Sequence, residues 1–306
     1  MSIAPILRLG TRRSPLAMAQ AEETRARLCA AHGWNEEQVE LVPVLASGDK
    51  VLDRPLADIG GKALWTKELD AWLAEGLIDA AVHSLKDVET LRPASLTIAA
   101  VLPRADVRDV LVGAASLGDL PAGARIGTSA PRRAAQVLHL RPDCSVVSFR
   151  GNVQTRLQKL AAGEADATLL AAAGLERLGM VDVGTPLGTA AWLPAPSQGA
   201  IGIECNADDD ATRALLAAID HAPSRAQVMA ERALLVGLEG NCHSPIGVLC
   251  DGSGELSLRA SIFSPDGAER VDGEIRFAAG DMQEPLALAA DLLARAGPAI
   301  RQHFGG

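Results

Sequence analysis

Arg125-Ile126-Gly127-Thr128-Ser129-Ala130-Pro131-Arg132-Arg133 echoes an earlier stretch of the same chain, Ile6-Leu7-Arg8-Leu9-Gly10-Thr11-Arg12-Arg13-Ser14-Pro15. Each combines a short apolar strand, Gly-Thr, a hydroxyl residue, a proline and an arginine pair. Proline is favoured at the first position of a helix, and Ser14 just before Pro15 suits an N-cap. Each copy therefore reads as a strand feeding a helix. A second echo, Gly76-x-x-Asp79-Ala80 and Gly163-x-x-Asp166-Ala167, joins a helix to a strand. The two pairs are not equally spaced, so the chain is not a regular repeat. It reads as two α/β lobes built on one plan.

Outward from these copies, the first lobe is predicted to carry strands at Ile6–Leu9, Val39–Leu45, Ile78–Val82 and Leu96–Leu102, and an Ala-rich helix from Pro15 to about Ala31. Leu69, Trp72 and Leu73 share one apolar helical face. The second lobe takes strands at Arg125–Gly127, Val146–Phe149 and Ala167–Leu170, and a helix carrying Arg156. The proline-rich Leu193–Ser197 suits a hinge, and the strand Ala200–Glu204 can return to the first lobe. In the third segment Ser224 and Gln227 form a capping-box pattern. Strand-like runs follow at Ile246–Cys250, Glu255–Phe263 and Arg270–Phe277, with the turn Ser264-Pro265-Asp266-Gly267 between the last two. A terminal helix is expected from about Pro285 to His303. The expected fold is α/β in three domains: residues 1–102 with 198–219, residues 103–197, and a small α+β domain, 220–306, with a three-stranded antiparallel sheet.

A chain of 306 residues, 48% hydrophobic, can bury that many cores. Its net charge of -9 argues against nucleic acid or an anionic membrane as main partner. Yet Arg12, Arg13, Lys86, Arg132, Arg133 and Arg150 all fall at predicted strand-to-helix turns. Open α/β sheets bind ligands there. Arginine forks match carboxylates or phosphates, so a polyanionic ligand is expected. In His83-Ser84-Leu85-Lys86-Asp87-Val88, cations beside Asp87 would keep it ionised and able to steady positive charge. The bland alternative is a loop ion pair worth little.

The five cysteines show no CxxC pattern, and Cys and His never cluster at zinc spacing, so no metal is expected. Cys242 stands apart in Leu238-Glu239-Gly240-Asn241-Cys242-His243-Ser244-Pro245-Ile246-Gly247. Gly240 and Pro245 bracket it on a turn, whereas free cysteines are usually buried small hydrophobes. A displayed thiol is a candidate nucleophile. Met1–Arg8 lacks a signal-peptide pattern and no apolar run reaches membrane-spanning length, so a reducing cytoplasm is expected.

Several stretches, in order along nearly the whole chain, together resemble the porphobilinogen deaminase (hydroxymethylbilane synthase) family. They are Thr11–Ala17, Gly60-Gly61-Lys62, Val82–Val88, Gly127-Thr128-Ser129, Arg132-Arg133, Arg150-Gly151-Asn152-Val153, Gln198–Cys205 and the Cys242 loop. The resemblance implies head-to-tail condensation of four porphobilinogen molecules with loss of ammonia, then hydrolytic release of a linear tetrapyrrole. It implies a dipyrromethane cofactor linked by a thioether to Cys242, and Asp87 as the catalytic aspartate. Family carboxylate-binding positions match Arg12, Ser14, Lys86, Ser129, Arg132, Arg133, Arg150, Arg156 and Arg177. Further cofactor or substrate contacts are expected at Lys62, Trp65, Ser84, Thr128, Gly151 and Gln198. The first two domains would resemble type II periplasmic binding proteins, the third would carry the cysteine, and the working form would be a monomer.

The chain departs from the family pattern with Trp65 for Phe, Ala63 for Gly, Glu89 for Pro and Pro131 for Leu. Two rival readings exist: a two-lobed binder of a small carboxylate, and a cysteine hydrolase. The binder leaves the third domain and its loop cysteine unused. The hydrolase lacks an oriented general base, since His243 is only Cys242's sequence neighbour.

Overall fold

The computed structural model describes residues 5–44 and 66–304. The chain divides into two compact units, residues 1–105 with 200–225 and residues 106–199 with 226–306. In chain order the first unit holds β1 (Leu7–Arg12), α1 (Pro15–His32), β2 (Val39–Val44), α2 (Lys67–Ala74), β3 (Ala80–Ser84) and β4 (Leu96–Val101). The second holds β5 (Asp109–Val112), β6 (Arg125–Gly127), α3 (Pro131–Leu140), β7 (Ser145–Val147), α4 (Val153–Ala161), β8 (Ala167–Ala171), α5 (Ala172–Arg177) and β9 (Thr185–Pro186). β10 (Ile201–Asn206) and α6 (Asp210–Ala217) belong to the first unit again. The chain ends with α7 (Ala222–Gly237), β11 (Ile246–Gly252), β12 (Glu255–Phe263), β13 (Arg270–Ala278), α8 (Gln283–Arg295) and α9 (Pro298–Arg301).

One topology serves both five-stranded sheets. The first runs β2-β1-β3-β10-β4 and the second β7-β6-β8-β5-β9. β1 is parallel to β2 and β3, while β10 is antiparallel to β3 and β4. Likewise β6 is parallel to β7 and β8, while β5 is antiparallel to β8 and β9. In each sheet the antiparallel strand is the first to follow a crossing from the other unit. This is the type II periplasmic-binding-protein arrangement, present twice. β11-β12-β13 form a separate antiparallel sheet.

Burial explains the placement. Leu7, Leu9, Val82, Ile201 and Ile203 build the first sheet's core, Leu111, Ile126, Val137 and Leu169 the second's. The third sheet packs Val248, Leu258 and Ile262 against Leu234, Leu288 and Leu292 of its helices. α1 turns Ala17, Gln20, Ala21, Thr24 and Leu28 inward. That mostly small face lets the helix lie close to the sheet. Ser14 caps α1 by accepting from the Ala17 amide at 3.3 Å, and Leu69 and Leu73 of α2 are buried as expected.

Three readings change. β5 and β9 were not expected: unlike the similarly short β6 and β7, neither leads into a helix whose start signal marks it. α7 begins at Ala222, before Ser224, since His221 supplies the cap: its Nδ1 accepts from the Ser224 amide at 3.3 Å. The Ser224 hydroxyl instead accepts from the Arg104 amide at 2.8 Å. The terminal helix is broken into α8 and α9 at Gly297-Pro298, because proline disfavours helical geometry in the residue before it.

Candidate functional site

In the first unit the chemistry gathers where β1 and β3 end. Arg12 closes β1, and Ser14 starts α1 two residues later. β3 ends in His83 and Ser84, and a 3-10 turn, Leu85–Asp87, follows. Among the described residues Arg12, Ser14, Gln20, Thr66, His83, Ser84 and Asp87 line one pocket of about 60 Å³. Ser84 Oγ and the Gln20 amide exchange hydrogen bonds of 2.7 and 3.1 Å. Asp87 is exposed and Lys86 half-buried. A helix N-terminus beside an arginine favours an anion.

The turn is seated from beneath. Leu85 is fully buried, its amide donating to the Ala200 carbonyl at 3.1 Å. A Cβ on Gly202 would sit 2.3 Å from Leu85 Cδ2, so only glycine leaves room there. That gives the Gln198–Cys205 stretch a physical role. Behind the turn lie charged groups that sequence reasoning missed. Glu204, fully buried on β10, faces His83 at 3.1 Å and Arg92 at 2.9 Å. Burial pushes the Glu204 carboxyl up, but His83 and Arg92 outweigh that and hold it near 2. Gln20 was missed too, although a glutamine on the inward side of an alanine helix is a readable signal.

In the second unit Thr128 and Ser129 follow β6. The Thr128 amide donates to Val147 O at 2.9 Å and Ser129 Oγ to Phe149 O at 2.9 Å. Arg150 carries a buried Nη1 without a hydrogen-bond partner among the described residues. Gly151 next to it has φ of 108°, a backbone open to glycine, and its carbonyl accepts from Arg156 Nε at 3.0 Å. Asn152 caps α4 through the Thr155 amide at 2.9 Å. Arg177 Nη2 donates to Gly199 O at 3.2 Å.

Arg132 and Arg133, expected among the ligand-facing cations, are instead each 5% exposed and turned onto Asp109, at 2.8 and 2.6 Å. As second and third residues of α3 they point to the helix's buried side. Gln198 Nε2 and Trp192 Nε1 also donate to Asp109, at 2.9 and 2.8 Å. Burial would raise the Asp109 carboxyl, but the two guanidinium groups hold it far below the usual range. Lys62 and Trp65, with Gly60-Gly61, lie outside the described residues.

Cys242 is exposed, whereas Cys144, Cys205 and Cys250 are buried. Burial pushes the Cys205 thiol up to about 11 and raises that of Cys144, so neither readily forms a thiolate. The Cys242 turn is tied on both sides. Asn241 Oδ1 accepts from the His243 amide at 2.9 Å, and Ser244 Oγ accepts from the Asn241 amide at 3.1 Å. Among the described residues no cluster of three or more His, Cys, Asp or Glu could hold a metal.

Relatives bear on this geometry. Residues 7–214 match the family model "Porphobilinogen deaminase, dipyromethane cofactor binding domain", and residues 225–296 match "Porphobilinogen deaminase, C-terminal domain". A porphobilinogen deaminase of Sphingopyxis alaskensis is 60% identical, covering 97% of this chain and 96% of its own. A chloroplastic porphobilinogen deaminase of Oryza sativa subsp. japonica is 49% identical, covering 86% of this chain and 75% of its own. Among solved structures, a TRAP periplasmic solute binding protein from Desulfovibrio salexigens is 12% identical, covers 71% of this chain and 73% of its own, and has a TM-score of 0.42, too slight a likeness to bear on function. With an exposed loop thiol, a carboxylate turn beside a cation, and family models spanning both units, the chain belongs to the porphobilinogen deaminase family.

Proposed function

We propose that Asp87 is the carboxylate that works on the porphobilinogen pyrrole and that Cys242 anchors the dipyrromethane cofactor. The activity is that of the family: condensation of four porphobilinogen molecules, with loss of ammonia, into hydroxymethylbilane for tetrapyrrole biosynthesis. The observation that carries the assignment is the exposed Asp87 at the rim of a pocket lined by Arg12, Ser14 and Ser84. The residues suit a polycarboxylate cofactor: Arg150 has a buried Nη1 seeking an acceptor, and Cys242 is displayed on a fixed turn. When bound, the dipyrromethane supplies the pyrrole carbon to which units are added.

The residues then divide the work. Arg12, with Ser14 at the start of α1, holds acetate or propionate carboxylates in the first unit. Arg150, Arg156 and Ser129 do so in the second, with Lys86 and Arg177 adding positive charge. Arg132, Arg133 and Gln198 support that edge through Asp109. Asp87 stabilises the positive charge left on the substrate pyrrole when its carbon–nitrogen bond breaks and ammonia departs. Asp87 would also accept the α-proton released when a unit is joined. Water closes the cycle by hydrolytic release. Cys242 acts once, as a thiolate nucleophile.

Residues 220–306 would be a cofactor-carrying domain beside two lobes, 1–102 with 198–219 and 103–197, in a cytoplasmic monomer. Among the described residues no helix is long and apolar enough to cross a membrane. The test is intact mass and turnover of wild type, Cys242→Ser and Asp87→Asn. A mass surplus of two condensed porphobilinogen units should vanish in Cys242→Ser. Asp87→Asn should keep the surplus and lose roughly 10²–10⁴-fold in kcat. An active, loaded Cys242→Ser protein would end the anchoring assignment.

A further inference from the structure

One guanidinium holds the segment that leaves the Leu85–Asp87 turn. Arg92 lies five residues after Asp87 and its side chain is 9% exposed. Its Nε and Nη2 donate to the two oxygens of Glu204 at 2.9 and 3.0 Å. Its Nη1 donates to Glu89 at 2.7 Å and Nη2 to Asp70 at 2.5 Å. Thr66 Oγ1 reaches the same Glu89 carboxylate at 2.8 and 2.9 Å. Glu204 sits on β10, opposite Ala81 of β3, and faces His83 two residues along β3. One side chain therefore ties together α2, β10 and the segment leaving the turn, and Glu204 carries the link on to β3 through His83.

Stability alone does not account for such a group. Apolar replacements of a buried ion cluster are often neutral or stabilising. A single 3-10 turn, in contrast, has poor hydrogen-bond geometry and gains from an outside brace. Backbone bonds already hold the turn at Leu85, to Ala200 O, and at Val88, whose amide donates to Leu85 O at 3.2 Å. Glu89 is the residue after Val88, and Arg92 pins it from outside.

We propose that Arg92 is a positioning residue: by holding Glu89 to Glu204 it fixes the direction in which Asp87 presents its carboxylate. The proposal rests on the reading of Asp87 as the catalytic carboxylate. A lysine in place of Arg92 keeps the charge but has no planar fork, so it cannot reach Glu204, Glu89 and Asp70 together.

β3 supplies its own control. At its amino end Arg8 grips Asp79 through its backbone amide at 2.7 Å and its side chain at 3.1 and 2.6 Å. That clamp braces the strand but lies away from the turn. The experiment compares Arg92→Lys, Glu89→Gln, Arg8→Ala and Asp87→Asn as loaded enzymes. It measures kcat, KM, cofactor mass, and amide exchange at Leu85 and Val88. Arg92→Lys should lose roughly 10- to 100-fold in kcat with KM little changed, the cost of a misaimed catalytic group. It should keep the cofactor mass and exchange faster at both amides. Glu89→Gln should shift the same quantities less, and it carries the test if Arg92→Lys does not fold. Arg8→Ala should leave kcat and the turn amides unchanged. Wild-type kcat or wild-type exchange in Arg92→Lys, or in Glu89→Gln where that variant carries the test, overturns the positioning role. Retained turnover in Asp87→Asn would instead overturn the assignment of Asp87, a separate failure.

Discussion

The two lobes carry the same strand-to-helix motif and use its arginines in opposite ways. In the first lobe the pair precedes the proline: Arg12 closes β1 at the pocket and Arg13 is exposed. In the second the pair follows the proline, so Arg132 and Arg133 enter the first turn of α3 and are buried against Asp109. A few residues' shift relative to the helix start moves a guanidinium from a pocket's edge into the protein interior. Positive charge at a helix N-terminus opposes the helix dipole, and Asp109 offsets it. Residue type alone therefore does not say whether an arginine reaches a pocket or the interior; here its position relative to the first helical turn separates the two.

The sharpest way to break this contrast is Asp109→Ala. It leaves two buried guanidinium groups without their carboxylate and should cost about 3–5 kcal/mol in denaturant unfolding. A loss below about 1 kcal/mol would mean the arginines are not committed to Asp109. Acid should separate the lobes next. The Glu204 carboxyl, ordinarily 4.5, is held near 2, so below 4.5 the unfolded chain takes up a proton that the folded chain refuses. Its contribution is complete above about 4.5 and fades as pH falls toward 2. Asp109 is held lower still. Amide exchange between those pH values should show β3 and β10 loosening before β5 and β8; simultaneous loosening would remove the distinction. The smallest effect is Arg12→Ala, which should cost less than about 1 kcal/mol of stability. It should raise KM for porphobilinogen, and an unchanged KM would count against a ligand role for Arg12.

Much of the fold was readable because local chemistry declares it. Ser14-Pro15 marks the start of α1, Gly33 its end, and alternating or continuous apolar runs mark the longer strands. The return of β10 to the first sheet was readable from its apolar run after a proline-rich crossover. The interior charge clusters were not. Asp109 meets partners 24 and 83 residues away, and Arg92 meets Glu204 at a separation of 112. No window of sequence contains both members. Asp87 and Cys242 stood out because each lies on a turn and Arg12 because it ends a strand, while Gln20 sits inside α1 and the partner of His83 lies far along the chain.

The exchanged strands have a consequence for how the protein is made. β4 bonds to its sheet through β10 alone, so it finds its neighbour only after Asn206 has left the ribosome. The second lobe's sheet has all five strands in hand by Pro186. The lobe that begins the chain is thus finished after the lobe that follows it, and β4 must wait through more than a hundred further residues of translation. During that interval an unpaired strand edge is open to wrong partners.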